Sequence, residues 1–359
     1  MSRNFVNFFC LLVVLCFSVG VVRAQVPTPM PVPVPVPDKK LPKDPKIKDP
    51  KIKTYPPPPG HDVPGVFEGD DDVTSEKSMV VDGNVAIKLC VAHGDLKING
   101  WRRNEVRVFV QDGRQFKLKP LEKSAEGKVN WLSIGNFVEG RPGPGSECLA
   151  GSNIEIDAPV GANFDLSAEA AQTSVDSVKK IKVQTRRGMI SLRNITGGID
   201  AYTAQGDIIV ENSSGAIEIV STTGNIVAVE VSPGQVGDLF KARTNSGTVS
   251  LQRVDHRQIE ANSISGSLLF EGKILTGGIY TFRSTAGSIN LSIPEMSSCM
   301  IKATYGVGSF KYDIALKILT ENITPSAKIV VGKIGAGDAK VSVSTDTGKI
   351  EIKKTVSKL

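Results

Sequence analysis

From about residue 160 onward, apolar and polar positions alternate in short bursts that restart at a fixed interval. Glycines fall at 188, 197, 206, 215 and 224, nine residues apart. Two positions after each comes an isoleucine: Ile190, Ile199, Ile208, Ile217 and Ile226. Four positions after comes Leu192, Ala201, Val210, Ile219 or Ala228. Period-two alternation marks a short strand with one buried face. A glycine heading each unit supplies the backbone freedom of a tight turn. The residue three before each glycine reads Thr185, Asn194, Thr203, Asn212 and Ser221, so hydroxyl and amide alternate. The structural repeat is therefore about eighteen residues, with two strands per turn. It loosens but persists through Thr244–Leu251, Ser263–Phe270, Ser284–Leu291 and Thr345–Ile352, and the stretch 232–238 bulges out as a loop.

Self-similarity at this period is the mark of a solenoid, in which each turn buries its apolar side against its neighbours. The expected fold is all-β: a parallel β-helix of short Gly-headed strands with two strands per turn of 18–20 residues. Residues 65–359 form this domain, with less regular turns over 74–160 and regular repeats over 161–352. Strand-like runs in the irregular part include Val85–Leu89, Val106–Val110, Val129–Ile134 and Ile154–Ile156, and 122–149 forms a larger excursion. Trp101 and Trp131 are expected in the core or a cap. The lysine-rich C-terminal strand reads as a protected outer edge, which predicts a monomer.

Ahead of the repeats, Arg3 precedes an apolar run, Phe5 to Val22, that ends at Val22-Arg23-Ala24. Residues 1–24 therefore read as a secretory signal peptide cut before Gln25. If the segment is not cut, it is the chain's one contact with a membrane. Residues 25–64 hold fourteen prolines and seven lysines. They read as an extended, polyproline-like linker, either a spacer or a passive leader. The formal charge of +6 resides mostly in these two segments, which leaves no concentrated basic face and excludes nucleic acid as the expected partner. Export permits a disulfide. Cys90–Cys148 is favoured, leaving Cys299 free, with three buried thiols equally open.

The stretches Gly94–Val108 and Ile154–Leu166, followed by the T-x-x-G-x-I-x-L ladder, resemble the bacterial adhesin-like family with β-strand repeats. The resemblance covers about residues 75–352. It implies an exported or envelope-associated protein and brings no catalytic residues.

Chemistry is sparse. His61, His93 and His256 are read as linker, turn or surface residues, and none has a partner at metal-ligand spacing. There is no G-x-S-x-G elbow or P-loop. The residues that follow the repeat glycines, among them Met189, Asp207, Ala216 and Asn225, make no carboxylate array of the calcium-binding kind. Asp70–Asp72 read as a solvated turn. No catalytic, cofactor or metal residue is assigned. The expected function is an exported, non-catalytic scaffold, surface-exposed or periplasmic, that binds a surface or envelope polymer or protein. Outward residues such as Glu211, Glu218 and Lys349 would make the contact. One alternative is a self-assembling envelope protein. Another is a carbohydrate-active β-helix enzyme, for which Tyr202, Tyr280 and Phe282 would be the sugar platforms.

Overall fold

The computed structural model describes residues 75–113, 115–136, 148–324 and 327–355. The segments expected as signal peptide and linker, with His61 and Asp70–Asp72, lie outside the described residues. The described residues contain no helix, and their strands join one hydrogen-bonded sheet that coils on itself as a β-solenoid.

In chain order the first strands are β1 (Ser75–Trp101), β2 (Glu105–Gln111), β3 (Lys117–Lys123), β4 (Val129–Gly135), β5 (Leu149–Pro159) and β6 (Asn163–Asp176). The regular coils follow as β7 (Lys180–Arg187), β8 (Ile190–Arg193), β9 (Ile199–Gln205), β10 (Ile208–Glu211), β11 (Ile217–Thr223) and β12 (Ile226–Val231). They continue as β13 (Leu239–Ser246), β14 (Val249–Val254), β15 (Gln258–Ser265), β16 (Leu268–Glu271), β17 (Ile279–Ala286) and β18 (Ile289–Ile293). The chain ends with β19 (Cys299–Asp313), β20 (Lys317–Ile323), β21 (Lys328–Ile334) and β22 (Ala339–Lys354).

Each regular coil contributes one strand to each of two faces. On the first face Ile181, Ile199, Ile217, Phe240, Ile259 and Tyr280 lie opposite one another in successive parallel strands. On the second, Ile190, Ile208, Ile226, Val249, Leu268 and Ile289 do the same. All twelve side chains are buried. Each such burial contributes roughly 1.5–3 kcal/mol, which strands of four to eight residues could not obtain singly.

The eighteen-residue alternation of hydroxyl and amide acquires a cause. Thr203, Ser221, Thr244, Ser263, Ser284 and Thr345 point inward and are buried. Their hydroxyls donate to the carbonyls of Gly188, Gly206, Gly224, Gly247, Gly266 and Gly287, each one coil earlier, at 2.9–3.3 Å. The amides lie at the opposite corner, where Asn194 and Asn212 adopt φ of +57° and +45°. There Asn212 Nδ2 donates to Asn194 Oδ1 at 2.6 Å, and Asn194 Nδ2 to Asp176 Oδ1 at 2.8 Å. In the next two coils this corner holds Glu230 and Arg253, joined by a 2.7 Å ion pair.

Both ends of the stack are built out of chain order. β1 pairs in parallel with β6 and also with β4 and β5, while β2 and β3 add antiparallel strands outside those two. At the other end β22 pairs with β17 and β18, and also with β19. β21 then pairs with β19, and β20 with β21. The expectation that the C-terminal strand is the open edge is therefore corrected. Ile350 and Ile352 of β22 continue the inner columns, and Lys349 and Lys353 flank Glu351 at 2.9 and 3.3 Å on the outer surface. The lysines stand above the sheet rather than along a free edge.

Cys90 and Cys148 are disulfide-bonded, tying β1 to the residue before β5. Cys299 is free and buried, and desolvation pushes its thiol up to about 11, which leaves it inert as a nucleophile. Of the two positions expected for Trp131, core or cap, the core is ruled out, with 44% of its surface exposed. Trp101 is half-buried, donates Nε1–H to the Glu105 carbonyl at 2.7 Å, and lies beneath the Arg103 and Arg107 guanidinium groups.

Candidate functional site

The repeat spacing widens between Gly224 and Gly247, where Ser232-Pro-Gly-Gln-Val-Gly-Asp238 is inserted after β12. Proline and two glycines cannot extend the strand, so the segment leaves the coil as a loop. Asp238 closes it: Oδ2 accepts from the backbone N–H of Gly234 and of Gln235, both at 2.9 Å. Gly237, at φ +97°, makes a turn that a side chain would strain.

A second loop, 272–278, leaves the stack two coils on. The buried Tyr280 hydroxyl accepts the Leu275 N–H at 2.8 Å, and Arg257 Nη1 donates to the Thr276 carbonyl at 3.0 Å. Burial raises the Tyr280 phenol above its ordinary pKa, which keeps it neutral.

Between the two loops lies a cleft of about 460 Å³, floored by Asp255, Arg257 and Gln258 and walled by Pro233–Asp238 on one side and Leu275–Ile279 on the other. Val236 is fully exposed, and Ile279 shows 52% of its surface. The Asp255 N–H donates to the Val231 carbonyl at 2.8 Å, while its carboxylate makes no hydrogen bond or ion pair among the described residues. The lining holds no aromatic ring.

Beneath this floor His256 is fully buried, a correction to its reading as a surface residue. The corner after β14 turns it inward, with Nε2 2.9 Å from the Gly215 carbonyl and the ring 5.8 Å from Phe240. The carbonyl requires a proton on Nε2, and Nδ1 is left without a partner. Desolvation holds the imidazole below its usual pKa, against the opposing pull of the Gly215 carbonyl, Asp238 and Asp255. His93 is exposed.

The outward residues singled out in the sequence do not converge. Glu211 is exposed on the second face opposite Arg193, and Glu218 is exposed on the first face between Asp200 and Lys241. Lys349 is half-buried against Glu351. Tyr280 and Phe282 are buried and cannot serve as sugar platforms, and Tyr202 alone of the three is exposed. No group of three or more His, Cys, Asp or Glu side chains among the described residues is placed to hold a metal. The cleft residues Val236, Asp255, Arg257 and Ile279 carry no motif. Their sequence signal is the inserted loop that widens the glycine spacing.

The cleft lies within the stretch that matches a known family. Residues 229–353 match Toastrack DUF4097. That match runs from β12 through β22 and supports the resemblance read from the repeats. No curated protein matches the chain. Among solved structures, a "putative adhesin" from Parabacteroides merdae ATCC 43184 aligns over 80% of this chain and 98% of its own, at 10% identity and a TM-score of 0.32. A "putative cell adhesion protein" from Clostridium sporogenes ATCC 15579 aligns over 79% of this chain and 100% of its own, at 12% identity and a TM-score of 0.22.

Proposed function

We propose that this chain is an exported, non-catalytic binding scaffold of the cell surface or envelope, an adhesin in the broad sense. The observation that carries the reading is the cleft. It is held open between two loops, the first closed on itself by Asp238 and the second tied to the solenoid through Tyr280 and Arg257. A stiff stack presenting loops suits recognition, because little order is lost on binding. The Cys90–Cys148 bond favours an oxidising compartment, in line with the signal-like N-terminus. The partner is a surface or envelope protein or polymer, with no cofactor and no nucleic acid. Protease shaving of intact cells carrying a tag after Leu359 tests location, and attachment of a deletion strain tests function. A protected tag together with unchanged attachment overturns the reading.

A second reading is end-to-end self-association. The 306–313 half of β19 pairs with β22 on one side and with no other described strand. On it Val307 is 73% exposed and Tyr312 45%. Such an edge invites another strand. Light scattering that grows with concentration favours this reading, and a constant monomer mass removes it.

A further inference from the structure

We propose that the cleft between residues 233–238 and 275–279 binds an extended peptide of a partner protein. The peptide seats an apolar side chain against Val236, Leu275 and Ile279, and directs a neighbouring lysine or arginine to Asp255. This rests on the reading of the domain as a binding scaffold and names the ligand class of its site.

The apolar wall comes first. Val236 projects entirely into solvent from a loop that Asp238 ties shut, and Ile279 faces it with half its surface free. Covering both removes apolar area from water, at about 25 cal/mol per Å². The cleft's size falls within the range of about 300–1,000 Å³ typical of ligand pockets.

Charge then selects the ligand. The lining carries two carboxylates, Asp238 and Asp255, against one guanidinium, and Arg257 already donates to Thr276. Asp238 is engaged with its own loop, so Asp255 is the carboxylate left to meet an incoming cation, in a charge-assisted hydrogen bond. The side-chain amide of Gln258 on the floor offers both a donor and an acceptor to a peptide backbone. A glycan is disfavoured because no ring in the lining can stack on a sugar face.

The test uses the purified protein with glycine ¹⁵N labelling and the probe Ac-Ser-Leu-Lys-Ser-NH2. The expected result is saturable movement of the Gly234, Gly237 and Gly277 resonances. Affinity should fall about tenfold in Asp255→Asn, and as much with Ac-Ser-Leu-Glu-Ser-NH2. Val236→Ser, at a fully exposed position that does not threaten folding, should weaken binding as well. The proposal is overturned if these resonances stay still, if the glutamate peptide binds equally, or if a chito-oligosaccharide moves them and the peptide does not. Cells carrying the doubly substituted protein separate the two readings. Normal attachment there removes this site and leaves the adhesive role standing.

Discussion

The buried hydroxyl of Ser221 donates a 2.9 Å hydrogen bond to the carbonyl of Gly206, one coil earlier. The N–H of Gly206 bonds forward to the Thr223 carbonyl, so its own carbonyl turns inward, where no backbone donor among the described residues meets it. A buried carbonyl without a partner costs about 1–3 kcal/mol. The hydroxyl column is therefore what lets glycine corners stack inside an apolar core. Ser221→Ala should lower unfolding free energy by about that amount, read as a shift of the urea midpoint at constant slope. Ser221→Thr should be nearly neutral, since Thr203 and Thr244 hold the same place on either side. Equal losses in both variants would mean that the bond is not what matters.

Gly206 itself sits at φ +147°. A β-carbon there would overlap the carbonyl oxygen of Gly188 and force the stacked corners apart. Gly206→Val is expected to be more damaging than Ser221→Ala and to reduce soluble yield. Gly127 has nothing within 4 Å of a built β-carbon, so Gly127→Ala meets strain without a clash and is the milder control. Far-UV circular dichroism and thermal melts compare the two.

The nine-residue glycine phase made the coils legible, because a solenoid repeats one local solution and writes it repeatedly into the chain. Thr345–Ile352 could likewise be read as a further coil, and Thr345 does continue the hydroxyl column above Ser284. The order of coils at the ends was not legible. β19 precedes β22 in the chain but lies beyond it in the stack, and no local pattern records which strand pairs first. The burial of His256 was hidden for a related reason. A single polar residue in D-H-R looks like a surface turn until the corner that inverts it is known. The cleft was visible only as an inserted loop, since its walls come from segments some forty residues apart.

The Cys90–Cys148 bond closes a chain separation of 58 residues. On the loop-entropy model, closing a loop of that length stabilises the fold by about 4 kcal/mol. Cys90→Ala/Cys148→Ala should unfold at markedly lower urea than the parent. A reductant should shift the parent's midpoint and leave the double variant unmoved. The buried Cys299 should resist alkylation in the folded state under both conditions.

His256 sets a pH dependence whose direction follows from its burial. The folded chain holds the imidazole's proton more weakly than the unfolded chain, where the pKa is about 6.5. Above that value both states are neutral and the residue imposes no penalty. As pH falls through it, the unfolded chain takes up a proton first, and stability declines by up to about 1.4 kcal/mol per pH unit. The decline ends once pH drops below the folded pKa. Asp238 and Asp255 pull the other way and narrow this window. The neighbouring floor of the cleft, Asp255 to Gln258, should loosen with the ring. Urea midpoints between about pH 8 and pH 5 read the slope, with His256→Gln as the neutral comparison. The parent should lose more stability than the variant across this range. Parallel slopes would show that the folded chain takes up the His256 proton as readily as the unfolded chain, its charge being accommodated in the core.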